Sequence, residues 1–296
     1  MQVVVLGAGS LGSLVGGVLA SDHNVTLVGR DPHVTTVQSD GLRVEGTESF
    51  VAHPEATTED EGLAADLALV TTKAFDTCAA AAALATGDVD AVLSLGNGMG
   101  NEATLADRLT VPVVGGTTAL GATLEGPGRV AWLGRGETVV GPWTEDAADA
   151  ARGVGEMFDS VGLPTTVVED VRRPLWEKLA ANAAINPITA LTDVRNGATL
   201  RDPLGGTAAA AAREVARAAR ASGVDLTGTD AVEAAARVAR ATAANRSSMA
   251  QDLAAGRRTE VDAINGYVVD RIGVEAAPVN ATLAALVRAR QGIGEV

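Results

Sequence analysis

Two hydrophobic rhythms divide the chain. Up to about residue 170 the apolar positions come in short unbroken runs bounded by Gly, Pro, Asn and Asp, as in Gln2-Val-Val-Val-Leu6; beyond it they return every three or four residues. Unbroken runs suit strands buried on both faces, whereas the longer spacing marks one face of a helix. The first rhythm predicts strands at 2–6, 24–28, 66–72, 90–95, 111–116, 129–133, 138–141 and 165–168. It adds a hairpin at 42–44 and 50–52 and helices at 13–20 and 146–161. The second predicts helices only, at 206–222, 230–244, 247–255, 260–272 and 279–290. Between the two lies a helix from Trp176 that Pro187 should close at about Asn186, because the residue before a proline is pushed out of helical geometry. The expected fold class is α/β, a doubly wound sheet domain over 1–170 followed by an all-α domain over 171–296. The boundary falls in the charged, proline-containing stretch Glu169-Asp-Val-Arg-Arg-Pro174.

The first strand runs directly into Gly7-Ala8-Gly9-Ser10-Leu11-Gly12, and an apolar helix follows. That context turns a weak glycine pattern into a Rossmann-type dinucleotide site: Gly7 makes the turn, Gly9 lets a pyrophosphate approach, Gly12 packs the helix, and the helix N-terminus faces the phosphates. An accidental glycine turn is the competing explanation. The second strand ends in Gly29-Arg30-Asp31. An arginine there accommodates the 2′-phosphate of NADP, whereas an acidic residue grips the ribose of NAD. Arg30 comes first, after a glycine expected to open space, which favours NADP; were Arg30 only a surface charge, Asp31 would reverse the preference. Two further strands end at Lys73 and at Gly96-Asn97-Gly98. Carboxyl ends of strands line the ligand crevice of such a sheet, so Lys73 and Asn97 are candidates to reach the cofactor or a substrate carboxylate. Either could instead be a turn residue, Asn97 by capping the turn at Gly98.

On the helix from Trp176, steps of four place Lys178, Asn182 and Asn186 along one side, while Leu175, Leu179, Ala183 and Ile185 make the rest apolar. One ammonium and two amides suit an oxygen-rich small substrate; a solvated face is the plainer alternative. Composition tips the balance, because the chain has two lysines, Lys73 and Lys178, against 21 arginines. An ammonium can give up its proton and a guanidinium effectively cannot, so the residual lysines are candidates for chemistry. Farther on, Ser248 and Glu260 flank a connection broken by Gly256, with Thr259 and Asp262 spaced as the start of a new helix. The serine and the carboxylate could partner a substrate carboxylate and hydroxyl, or serve only as a cap and a first-turn acid.

The remaining composition mainly excludes. A net charge of −14 with 2% aromatics argues against nucleic acid and against an anionic membrane as partner. Acidic excess with so little lysine looks like adaptation to high salt. The single Cys78 rules out an internal disulfide and fits a reducing, cytoplasmic setting. No apolar run reaches the ~20 residues of a bilayer span, and the basic start of a signal peptide is missing. His23, His33 and His53 have no ligand spacing, so no metal is expected. The alanine-rich helices could pack within one subunit or between two, which leaves a homodimer open.

Two segments carry a more specific signal: Lys178-Leu-Ala-x-Asn182-x-x-Ile-Asn186-Pro187-x-Thr189-Ala190-Leu191, and Ser248-Met-x-Gln-Asp-x-x-x-Gly-Arg-x-Thr-Glu260-Val-Asp-x-Ile-Asn265-Gly266. Neither is generic to dinucleotide-binding enzymes, and with them nearly the whole chain resembles the ketopantoate reductases (2-dehydropantoate 2-reductases). The resemblance implies NADPH-dependent reduction of 2-dehydropantoate to (R)-pantoate in pantothenate and coenzyme A biosynthesis. It implies Lys178 as general acid and Glu260 on the substrate hydroxyl. Asn182, Asn186 and Ser248 would lie on the substrate, and Lys73 and Asn97 at the junction of cofactor and substrate. Gly96 departs from the Gln or His that such sequences often carry before the Asn-Gly pair. A paralogue acting on another 2-oxo acid is the first alternative, and a dinucleotide-binding protein without turnover the second.

Overall fold

The computed structural model describes residues 1–292. By their internal contacts the residues form two compact units, one of Met1–Gly96 with Asn101–Val171, the other of Arg172–Val296 with the short segment Asn97–Gly100.

The first unit holds fourteen strands and five α-helices. In chain order they are β1 (Gln2–Leu6), α1 (Ser10–Leu19), β2 (Asn24–Val28), α2 (His33–Asp40), β3 (Leu42–Gly46), β4 (Phe50–Ala52), β5 (Glu55–Thr57), β6 (Ala64–Ala65), β7 (Leu67–Val70) and α3 (Thr77–Leu84). There follow β8 (Asp88–Val89), β9 (Val92–Ser94), α4 (Asn101–Ala106), β10 (Val113–Thr118), β11 (Gly121–Gly126), β12 (Arg129–Gly134), β13 (Thr138–Pro142), α5 (Ala148–Ser160) and β14 (Thr165–Val167). Eight of the strands make one sheet in the order β14-β13-β10-β9-β7-β1-β2-β5, parallel throughout except where β13 meets β10. Both faces of this sheet are covered, which is why β1 reads as an unbroken apolar run. Val3 and Val5 enter one core with α1 and α5, and Val4 and Leu6 enter the other with α3.

A second sheet, ordered β11-β12-β3-β4, contains the predicted hairpin as its β3 and β4 pair. Helix α1 lies between the two sheets and owes that position to adjacent glycines. A Cβ on Gly16 would meet Leu27 of the large sheet at 2.4 Å, and one on Gly17 would meet Leu42 of the small sheet at 2.9 Å. Larger side chains at either place would push the helix off its neighbour.

Among the described residues, the second unit has helices and no strands. They are α6 (Arg172–Thr192), α7 (Gly205–Ala221), α8 (Gly228–Ala241), α9 (Ser248–Ala254), α10 (Tyr267–Ile272) and α11 (Pro278–Gly292), with a π-helical turn at Asp262–Gly266 before α10. Its interior is built on alanine: Ala180, Ala211, Ala212, Ala216, Ala219 and Ala231 are completely buried. Two expectations fail here. Helix α6 does not stop at Asn186 but carries Pro187 inside and continues to Thr192. Thr259 and Asp262 do not form a reciprocal helix start, since Asp262 is engaged by Arg288 Nε at 2.7 Å and the Thr259 hydroxyl accepts only a long 3.4 Å bond from Val261 N. No described helix is long and apolar enough to cross a membrane.

Candidate active site

In the first unit, β2 lies on one side of β1 and β7 on the other, so the chain reverses its winding direction between β1 and β7. The turn Gly7–Gly12 follows β1 at that point. Gly7 has φ +102°, and a Cβ there would stand 2.7 Å from Thr72 N, in the segment after β7. Only glycine tolerates both conditions. A Cβ on Gly12 would come 2.3 Å from the Gly7 carbonyl and 2.5 Å from Thr71 Oγ1, whose hydroxyl donates to the carbonyls of Leu6 and Gly7. Gly9 differs: it is exposed, and a Cβ would meet nothing nearer than 4.0 Å. It is also the N-cap of α1 and offers no side-chain cap to the helix N-terminus. The result is an open backbone surface in front of uncapped N–H groups, which fits a dinucleotide pyrophosphate. Ala8 is buried, Leu11 packs partly against the core, and the Ser10 hydroxyl accepts from Leu124 N at 2.9 Å.

His33 supports the turn from behind. Gly128 N donates to its Nδ1 at 3.0 Å, which leaves the proton on Nε2, 3.0 Å from Ser13 Oγ. The Ser13 hydroxyl in turn donates to the Ala8 carbonyl at 3.1 Å. Burial holds the His33 imidazole below its ordinary pKa, consistent with a neutral ring in that chain of bonds.

At the end of β2, Asp31 Oδ1 accepts from Thr35 N at 3.1 Å and from Thr35 Oγ1 at 2.6 Å, and these bonds hold the carboxyl below the usual range. Arg30 has a side chain 92% exposed, with Asp76 at 4.0 Å as its ion-pair neighbour. Gly29 does not open space, as expected from sequence, but permits contact, because a Cβ there would stand 2.8 Å from the Ala8 Cβ. Lys73 is half-buried and immediately precedes a single 3₁₀ turn, Ala74–Asp76.

In the second unit Lys178 and Asn182 are half-buried and Asn186 is buried, all on α6 and successively about 40° apart around its axis. Among the described residues neither Asn182 nor Asn186 has a side-chain hydrogen-bond partner, although helix neighbours on both sides are fully packed. Glu260 is 6% exposed and accepts from Asn97 Nδ2 at 3.3 Å. Asn97 is therefore joined to Glu260. The turn at Gly98 is pinned to the π-helical segment. Gly98 has φ +80° with the Ala263 carbonyl 2.8 Å from where its Cβ would be, and Met99 N donates to the Ala263 carbonyl at 3.0 Å. Ser248 is exposed at the start of α9; the cap of that helix is Ser247, whose Oγ accepts from Ala250 N.

The structure thus brings Glu260 and Asn97 together and places Lys178, Asn182 and Asn186 in one row. Asn265, inside the π-helical turn, joins α6 directly through a 3.1 Å bond from Nδ2 to the Ala183 carbonyl. Its position in the second motif was the only sequence signal for it. Trp176 and Tyr267, with ring centroids 5.9 Å apart, pack beside the same turn and had no signal at all.

Comparison with known proteins bears on the same two units. Residues 3–145 match the family model described as "Ketopantoate reductase PanE/ApbA", and residues 170–291 match "Ketopantoate reductase PanE/ApbA C terminal". A 2-dehydropantoate 2-reductase of Halobacterium salinarum is 45% identical over 305 residues, 99% of this chain and 100% of the relative. The crystal structure of a PanE/ApbA family ketopantoate reductase from Ralstonia eutropha JMP134 superposes with a TM-score of 0.89 at 33% identity, over 100% of both chains. The ternary structure of D-mandelate dehydrogenase with NADH and anilino(oxo)acetate reaches a TM-score of 0.92 over 100% of both chains at 24% identity, a likeness of fold alone. Matched by both family models and closely similar over its full length to a reductase from a halophile, the chain belongs to the ketopantoate reductase family.

Proposed function

We propose that this protein reduces 2-dehydropantoate to (R)-pantoate with NADPH, the cofactor held by the unit over 1–170 and the substrate by the helical unit over 171–296. The observation that carries the substrate half is the row on α6. Two amides without partners among the described residues, one of them buried, stand in line with one of only two lysines. Among the described residues the amide atoms of Asn182 and Asn186 are not fully buried, so water can reach them in the free protein, and a small hydroxylated 2-oxo acid has the oxygens to take its place. NADPH, when bound, would supply the hydride for the keto carbon. Lys178 Nζ stabilises the charge that grows on the keto oxygen and gives that oxygen its proton. Asn182 and Asn186 orient the substrate, Ser248 receives its carboxylate, and Glu260, oriented by Asn97, accepts a hydrogen bond from its hydroxyl.

Arg30, exposed at the end of β2 where a 2′-phosphate would lie, supports NADPH in preference to NADH, and Thr35 engages one of the two oxygens of the Asp31 carboxylate that would favour NAD. Lys73 contributes at the junction of the two ligands. A lone, exposed thiol, Cys78, fits a reducing cytoplasm. The fold also serves a mandelate dehydrogenase, so the substrate is decided by side chains such as Glu260 and not by architecture.

The test is direct. Ketopantoate added to protein and NADPH is expected to oxidise the cofactor, followed by absorbance, far faster than 2-oxo acids without the hydroxyl. Lys178→Ala should lose at least about a hundredfold in kcat, the ordinary contribution of a general acid, with NADPH affinity unchanged. Turnover of the variant at the parental rate would remove Lys178 from the chemistry.

A further inference from the structure

Proline inside a helix leaves a debt four residues back. Pro187 has no N–H, so the Ala183 carbonyl, which would receive it, loses its donor within α6. That carbonyl is fully buried, and an unpaired buried carbonyl is costly. Asn265 fills the gap: its Nδ2 donates to Ala183 O at 3.1 Å and, with its other hydrogen, to Asn280 Oδ1 at 2.8 Å. Asn280 passes the chain on, donating from Nδ2 to the Ala211 carbonyl at 3.1 Å and to Glu214 Oε2 at 2.7 Å. The Glu214 carboxylate then receives the first N–H groups of α11, Val279 N at 3.0 Å and Asn280 N at 2.8 Å. Asn265 and Asn280 are wholly buried and Glu214 is 2% exposed. One polar chain therefore crosses the core of the helical unit from α6, through the π-helical turn, to α7 and α11.

Its location matters more than its length. The interrupted turn, 183–187, contains Asn186 and begins one residue after Asn182. At its other end Asn265 lies in the turn whose Ala263 carbonyl receives Met99 N, two residues from Asn97, the partner of Glu260. Asn265 also retains an Oδ1 that has no partner in the structure. An apolar residue here would spare that oxygen but would leave the Ala183 carbonyl and Asn280 Oδ1 without a donor, so the amide is present for its two hydrogen bonds and not for packing. We infer that Asn265 is a positioning residue: by replacing the hydrogen bond that Pro187 deletes, it fixes the direction of Asn182 and Asn186 on α6 relative to the Glu260 and Asn97 pair. The inference rests on the proposed function for its consequence in catalysis, but not for its geometry.

The test uses Pro187 as the internal control, because an alanine at 187 restores an N–H aimed at the Ala183 carbonyl and makes the Asn265 donor redundant. Asn265→Ala should raise KM for ketopantoate about tenfold, the effect of one lost hydrogen bond, and leave the Kd for NADPH within about twofold. Amide exchange at residues 184–186 and 188, measured without ligands, should quicken. In Asn265→Ala combined with Pro187→Ala, both effects should be at least half reversed on a logarithmic scale, although the Asn280 end stays unpaired. A KM unchanged in the single variant, or a double variant no better than the single, overturns the inference. If the single variant does not fold, the double variant carries the test, and failure of both to fold assigns Asn265 to folding alone and overturns the positioning role. A parent protein that does not oxidise NADPH with ketopantoate defeats the proposed function, and the exchange measurement still decides whether Asn265 repairs α6.

Discussion

Removing the Arg30 guanidinium should cost the protein its preference between the two nicotinamide dinucleotides and little else. A charge-assisted hydrogen bond to phosphate contributes about 1.5–3 kcal/mol. Two features of the structure reduce that figure. The Arg30 side chain is 92% exposed, so solvent and salt screen it, and it must loosen from Asp76, 4.0 Å away, an exposed pair that itself contributes roughly 0–1 kcal/mol. The remainder, about 1–2 kcal/mol, corresponds to a rise in KM for NADPH of about 5–30-fold in Arg30→Ala. NADH lacks the 2′-phosphate, so its KM should stay within about twofold. Steady-state oxidation of each cofactor at saturating ketopantoate gives both numbers from one preparation, and lowering the salt should widen the gap for the parent protein only. Equal losses with both cofactors would mean that Arg30 supports the shape of the β2 end and does not read the phosphate. A parent protein that prefers NADH would refute the assignment of Arg30 as the residue that decides between the two cofactors.

Two other measurements address the second unit and the support beneath the glycine turn. Glu260→Gln keeps the size of the side chain and the bond from Asn97 but withdraws the charge, so KM for ketopantoate should rise about tenfold or more while turnover of a 2-oxo acid lacking the hydroxyl hardly changes; parallel losses on both substrates would assign Glu260 to structure. His33 stays neutral to lower pH than a free imidazole. Burial lowers its folded pKa, so the unfolded chain takes up the proton first, and the stability contributed by the neutral ring is complete above the unfolded value near 6.5 and lost as pH falls through the folded one. Thermal unfolding followed from pH 7 to pH 5 should therefore show a steeper fall in Tm for the parent than for His33→Gln, and identical slopes would show that the Gly128, His33, Ser13 and Ala8 chain bears no titratable load.

What could be read in the sequence was what neighbouring residues decide between themselves. The turn Gly7–Gly12 is legible because its strand, glycines and helix are contiguous, and the row of Lys178, Asn182 and Asn186 because helical spacing alone puts them on one side. Strand β11, Gly121–Gly126, has no such local signature; it forms because β12 pairs with it and because the Ser10 hydroxyl receives Leu124 N across 114 positions. Five of the eight residues in Thr77–Leu84 are consecutive alanines, so no apolar face announces α3 even though alanine favours the helix. The Glu260 and Asn97 pair spans 163 positions and is invisible to any window.

Pro187 shows most clearly where local rules yield. Everything within four residues says that the helix ends there, since the preceding residue is pushed toward extended geometry and a carbonyl is left without its donor. Both objections concern a cost that isolated chain would pay to keep the helix going, and neither considers that the donor could come from elsewhere. Asn265 delivers it from 82 residues away, and α6 continues for five residues past the proline. The stop signal and its remedy are thus a matched pair, which explains why an amide is buried at 265 and why a proline is tolerated directly after a candidate substrate ligand, Asn186. A break repaired from outside has a direction that the repairing residue sets, so the orientation of the α6 row is a property of the π-helical turn as much as of α6 itself.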